Sequence, residues 1–233
     1  MLTFRNTMNK IYALFLAVFI CGCVGLPKKV PQSEAYASSV SESKNANVKK
    51  KIAQSEVSGR LNENGLRLLD LMQDYLGKKD GGDCSGFVSL INKKFRDSFF
   101  NEKELHKFYT ARGLKSEAMF RLYESKNLIY FENPEVGDLI FFNNTTKNTK
   151  NNKKAKIITH VGIISSVEKD GTVGFTHNTR GKNAVHFMNL NEKDTHKKGK
   201  KELNSYVVAC KSKSAACLAA NRFAGYGKAR IND

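Results

Sequence analysis

Residues 157–177 read IITHVGIISSVEKDGTVGFTH. Two runs rich in β-branched and aromatic residues, 157–167 and 172–177, flank a Lys169-Asp170-Gly171 turn, the pattern of an antiparallel hairpin. Each run carries one imidazole, His160 in the first and His177 at the end of the second. A polar ring among β-branched neighbours must face a solvated cleft or a hydrogen-bond partner. Paired strands bring two such rings within reach of each other.

Outward from the hairpin, residues 138–142 (DLIFF), 184–190 (AVHFMNL) and 205–210 (SYVVAC) read as further strands, giving an antiparallel sheet of about five. The Lys/Asn/Thr-rich stretch 143–156 reads as an exposed loop. Helical signals come earlier. Leu66, Leu68, Leu69, Leu71, Met72 and Leu76 recur at three- and four-residue spacing and stop at Gly77. After Asp83, which is placed to cap a first turn, Phe87, Val88, Leu90, Ile91 and Phe95 share one helical face. Residues 115–125 predict a third helix with Met119, Phe120 and Leu122 inward. Helices first and strands afterwards predict an α+β domain, its N-terminal helices on one side of the sheet.

The N-terminus reads differently. Residues 1–23 carry Arg5 and Lys10 without acids, an apolar stretch from 11 to 20, and the end Ile20-Cys21-Gly22-Cys23. This is an export signal, and its end resembles the lipobox of bacterial lipoproteins. The expectation is a signal peptide over 1–22, with Cys23 lipid-modified as the first mature residue. Ser, Lys, Asn and Glu dominate residues 23–59, which cannot bury enough surface to offset ordering entropy and read as a disordered tether. Such a coil has a root-mean-square span of roughly 30–36 Å. The domain, 60–233, would work close to its membrane.

Composition excludes several classes. With 40% apolar residues and 17 Gly in 233, the chain is neither collagen-like nor wholly disordered. The formal charge of +17 implies an anionic environment. An exported chain meets little nucleic acid, so lipid headgroups or wall carboxylates and phosphates fit better.

Cys84 carries the sharpest local signal. It follows Gly81-Gly82-Asp83 and precedes Ser85-Gly86 at the start of the second helix. A helix N-terminus stabilises a thiolate, which is the nucleophilic form. A nucleophile also needs a base, and the base an orienting group, which the two hairpin histidines can supply. His106, His186 and His196 lie in polar or basic contexts and read as surface residues. No C-x-x-C pair, H-E-x-x-H or phosphate-binding glycine loop occurs, so neither metal nor cofactor is expected.

Four segments together resemble the NlpC-type bacterial cell-wall cysteine endopeptidases, related to CHAP domains. They are Asp83-Cys84-Ser85-Gly86-Phe87-Val88, Pro134-Glu135-Val136-Gly137-Asp138-Leu139-Ile140-Phe141-Phe142, His160-Val161-Gly162-Ile163 and Phe175-Thr176-His177. The resemblance implies a reduced papain-like fold, Cys84 as nucleophile, His160 as general base and then acid, and His177 as its orienter. It further implies that Asp83 and Ser85 bind substrate, although both also suit a helix cap and first turn. One departure stands out: Asp80 falls near where family members commonly carry a Tyr. The implied activity is a peptidoglycan hydrolase cutting an amide of the stem peptide, with an N-acetylmuramoyl-L-alanine amidase or a non-catalytic wall-binding lipoprotein as alternatives. The expected partners are peptidoglycan and, through Cys23, a membrane, for a monomer facing the wall from the periplasm and, in a Gram-negative cell, from the outer membrane. Cys210 and Cys217 remain, either as a disulfide or as two small buried residues.

Cys23→Ser protein should leave the membrane fraction after a high-salt wash. Retention would mean a different anchor.

Overall fold

The computed structural model describes residues 61–96, 98–210, 213–229 and 231. The expected signal, Cys23 and the tether lie outside them.

Two side-chain caps start the helices that matter most. Asn62 accepts the Gly65 N–H at 2.9 Å and opens α1 (Glu63–Asp74). Asp83 accepts the Gly86 N–H at 2.7 Å and opens α2 (Cys84–Lys94). Each cap satisfies a backbone donor that the helix itself cannot. On α1 the buried stripe is Leu68, Leu69 and Met72, whereas Leu66 is 42% exposed. At 100° per residue Leu66 lies about 115° round the helix from the middle of that stripe, so its expected inward position is corrected. Phe87, Val88 and Ile91 of α2 are fully buried. A short α3 (Glu102–Leu105) and then α4 (Lys115–Ser125) follow, the latter with the bounds expected.

Among the described residues the fold is α+β, with one antiparallel sheet of six strands lying side by side as β1 (Ile129–Tyr130), β8 (Phe223–Gly227), β2 (Leu139–Asn143), β3 (Ile158–Val167), β4 (Thr172–Thr179) and β5 (Lys182–Asn189). Four strands match expectation: β2 (Leu139–Asn143), β3 (Ile158–Val167), β4 (Thr172–Thr179) and β5 (Lys182–Asn189). Residues 205–210 do not form the fifth. Tyr206 makes an isolated bridge to Leu218, and a disulfide joins Cys210 to Cys217 with Cα atoms 6.3 Å apart. The apolar character of this segment goes into packing, with Val208 and Leu218 buried. Two strands were not foreseen: β1 (Ile129–Tyr130), and β8 (Phe223–Gly227), which inserts between β1 and β2. A two-stranded hairpin, β6 (Lys197–Lys198) with β7 (Lys201–Glu202), stands apart from the main sheet.

Strand alternation sorts the interior into two layers. Leu139, Phe141, Val161 and Ile163 face the helices and share a core with α1, α2 and α4. Ile140, Phe142, Ile164, Val173, Phe175 and Met188 face the other way and pack with Tyr226, Ala219 and Ala220. The carboxylate of Asp138 ties the C-terminal segment to this frame: it accepts N–H bonds from Glu135 at 2.9 Å and Ala229 at 2.8 Å, and the hydroxyl of Tyr130. The loop 143–156 is pinned at its base, where buried Asn144 donates to the Asn152 and Ala155 carbonyls.

Gly227 explains why so glycine-rich a segment can be a strand. A Cβ there would meet the Tyr123 ring at 2.7 Å and the Phe141 ring at 2.9 Å. Gly227→Ala should therefore cost roughly 1–3 kcal/mol by overpacking, read as a lower urea midpoint at unchanged slope. An unchanged midpoint would show that the two rings can yield.

Candidate active site

The site forms where the sheet stops being a sheet. The β3–β4 ladder runs from Val167↔Val173 to Ile163↔Thr176, so Thr159, His160 and Val161 lie beyond its last registered pair. On the β2 side the pairing continues through Phe142↔His160. The gap on the β4 side is filled by the start of α2. The Cys84 thiol lies 4.0 Å from the Thr159 carbonyl oxygen and meets the Val161 N–H. It thus contacts the backbone on both sides of His160.

Glycine makes this approach possible. A Cβ at Gly86 would collide with the Gly81 carbonyl oxygen, and one at Gly81, where φ is +88°, would lie 2.5 Å from the Phe87 backbone. The loop before Cys84 is folded directly onto the first turn of α2. Sequence reading left Gly81 and Gly86 without a role; the signal was three glycines within six residues at a helix start.

His160 and His177 stand on the same sheet face, with Phe142 and Phe175. Their rings are perpendicular, with centroids 4.7 Å apart, and His160 Nε2 is hydrogen-bonded to His177 Nδ1. That bond leaves Nδ1 of His160 for a second partner. Among the described residues no hydrogen bond joins the His160 ring to the Cys84 thiol. One half of the expected triad is thus assembled, and the other is only adjacent.

Burial pushes the Cys84 thiol up to about 11, assisted by the Asp83 carboxylate, while the N–H groups of Val161, Ser85 and Cys84 pull it down. Burial lowers His160 to about 4; His186 adds to that, and Asp83 opposes it. His177, with no exposed surface, is held well below the ordinary imidazole range by burial first, then by His160 and His186. At neutral pH the resting site therefore holds a protonated thiol and neutral imidazoles. A thiolate–imidazolium pair would form only when each charge has the other beside it.

Asp83 and Ser85 are occupied with each other. Ser85 Oγ donates to Asp83 Oδ1 at 2.9 Å, and the same oxygen caps the helix. Asp83 is exposed and Ser85 buried, so only the former presents a side chain outward. Two surface cavities of about 310 and 610 Å³, lined in part by Tyr109 with Arg121 and by Lys150 with Arg222, touch none of these residues. No group of His, Cys, Asp and Glu suited to a metal ion occurs among the described residues.

Sequence reading placed His186 on the surface, and that is corrected. It stands opposite Phe175 on β5, its ring centroid 4.6 Å from that of His177, and its Nδ1 is buried. The period-two pattern could have found it, since buried Met188, two residues on, shares its face.

Comparison of the chain with protein-family models, with curated proteins and with solved structures returned no match. The chemistry must be argued from the residues.

Acid should destabilise the protein through these rings. His160 titrates near 4 when folded and near 6.5 when unfolded. The unfolded chain therefore binds more protons in that window, and stability present above pH 6.5 is lost as pH falls towards 4. For His160 alone the loss approaches about 3 kcal/mol. Urea midpoints should drop between pH 7 and pH 5, and less so in His160→Gln/His177→Asn. Equal pH sensitivity in both proteins would mean the rings are not held neutral.

Proposed function

We propose that this protein is a cysteine peptidase of the bacterial cell wall, exported, anchored by lipid on Cys23, and cutting an amide of the peptidoglycan stem peptide. The observation that carries the reading is one juxtaposition: a thiol at a helix N-terminus set in the gap beside His160, whose far ring nitrogen is bonded to His177. Nucleophile, base and orienter follow that order in thiol hydrolases generally. The resemblance of the four sequence segments to NlpC-type endopeptidases adds the substrate class, and a basic, exported chain suits a wall rich in carboxylates and phosphates.

In this reading His160 Nδ1 takes the thiol proton as Sγ attacks the amide carbonyl, and His177 steadies the imidazolium through Nε2. The Cys84 and Ser85 N–H groups, which already point at the sulfur, receive the developing oxyanion. His160 returns the proton to the leaving amine, giving a thioester. A water deprotonated by His160 then hydrolyses it and restores the thiol. No metal or cofactor takes part, and the protein acts as a monomer. An amidase cutting between the sugar lactate and the stem peptide would use the same steps.

One observation favours a second reading, a wall-binding lipoprotein without catalysis: the resting thiol is protonated and shares no hydrogen bond with His160. Digestion of purified walls by residues 60–233, with mass analysis of the products, separates the readings. Cys84→Ala should reduce cleavage to background, and His160→Ala nearly so. His177→Asn and His177→Gln should exceed His177→Ala by roughly tenfold, because an amide oxygen still accepts the His160 N–H. Wall binding with no cleavage by wild type would establish the second reading.

A further inference from the structure

Three imidazoles, not two, are aligned across neighbouring strands. His160 on β3, His177 on β4 and His186 on β5 share one sheet face, and each ring contacts the next. The register accounts for it. His177 stands opposite Ala184, whose methyl group leaves space, and His186 is two residues further on the same face. Its ring reaches diagonally towards His177, a contact long side chains make across antiparallel strands. Phe175 supports both rings, with centroids 4.9 Å from His177 and 6.3 Å from His186.

Two ring nitrogens in this row are buried without a hydrogen-bond partner: Nε2 of His177 and Nδ1 of His186. They belong to the two rings in contact. Buried polar atoms without partners are uncommon in native proteins and call for a reason. Tautomer logic supplies one. For His160 Nδ1 to accept the thiol proton, its Nε2 must carry hydrogen and donate to His177 Nδ1. A neutral His177 that accepts at Nδ1 carries its hydrogen on Nε2, which makes that buried atom a donor needing an acceptor. The adjacent unpartnered Nδ1 of His186 is an acceptor whenever its own hydrogen sits on Nε2.

We propose that His186 is a positioning residue that accepts the His177 Nε2–H, fixing the His177 tautomer and through it the orientation and basicity of His160. The inference rests on the cysteine-peptidase reading for its consequence in catalysis, although the pairing of the rings stands on its own geometry. The titratable and charged groups round His186 are Glu202 of β7, which favours its protonation, Arg180 at the β4–β5 turn, which opposes it, and the uncharged His177 ring on β4. Glu202 is held in place, since its carboxylate accepts the Ser205 hydroxyl at 2.6 Å and that hydroxyl accepts the Phe187 N–H at 2.9 Å. An acid at this end of the row would help carry the positive charge that arises when His160 takes the thiol proton.

The test uses the full chain and two variants, His186→Phe, which keeps a ring but no acceptor, and His186→Gln, whose amide oxygen can accept. Nitrogen-15 NMR of the imidazoles reads the tautomers without any need for activity. Wild type should show His177 in the Nε2–H form with slow exchange of that proton. His186→Phe should give a mixture of tautomers with faster exchange, and kcat for wall cleavage should fall about tenfold at unchanged KM, with His186→Gln recovering most of both. An unchanged His177 spectrum in folded His186→Phe would overturn the proposal, as would loss of activity that Gln does not restore. A tautomer shift in His186→Phe together with no wall cleavage by wild type would uphold the pairing and overturn the peptidase reading instead.

Discussion

Everything at the candidate site depends on β3 and β4 parting after Ile163↔Thr176, each continuing with its other neighbour. Beyond Ile163↔Thr176 the strand keeps its pairing to β2 but turns unpaired backbone groups towards β4. Those groups need partners, and the start of α2 brings the Cys84 sulfur to them. A ladder continued by two more pairs would close the gap and leave the thiol no place beside His160. The cost of ending it early is a few weak sulfur contacts in place of backbone hydrogen bonds, each worth about 1 kcal/mol net.

Holding the helix there requires the two layers to be locked independently. Phe87, Val88 and Ile91 fix α2 against Val161 and Ile163, while Gly81 and Gly86 let the preceding loop lie directly on its first turn. On the far side of the sheet, Phe142 and Phe175 set the imidazole row. The sulfur meets the β3 backbone at Thr159 and Val161, the strand against which both layers pack, so its position depends on both. The C-terminal segment contributes at a distance: β8 shields β2 from becoming an edge, and Asp138 binds the turn before β2 to the residues after β8.

The electrostatic character of the site follows from burial. Three imidazoles in contact could not all be charged, and desolvation keeps them neutral at rest. The same desolvation holds the thiol protonated. Such a site stores no ion pair beforehand; in the proposed peptidase reading, a substrate that excludes water and supplies the carbonyl draws the proton from Cys84 to His160. Leaving the His177 and His186 nitrogens unbonded would cost about 1–3 kcal/mol each, which is a strong reason for the rings to pair.

Local signals determined much by themselves. The α+β class, α2 with its Asp83 cap, α4, and the four strands β2 to β5 were all legible, because short-range periodicity and capping chemistry govern them. The nearness of His160 to His177 was legible too, since a tight hairpin fixes the register of its arms. What only tertiary structure decided involves partners far along the chain. Residues 205–210 have strand-like side chains but no free ladder to join, whereas 223–227, weakened by two glycines, enter the sheet because Tyr123 and Phe141 leave room only for a bare backbone. His186 looked like a surface residue because its sequence neighbours are polar or basic in part, and its burial depends on Phe175 and His177 across the ladder. Whether the thiol meets the imidazole is likewise settled by where two layers come to rest, which is a sum of long-range packing that no local pattern records.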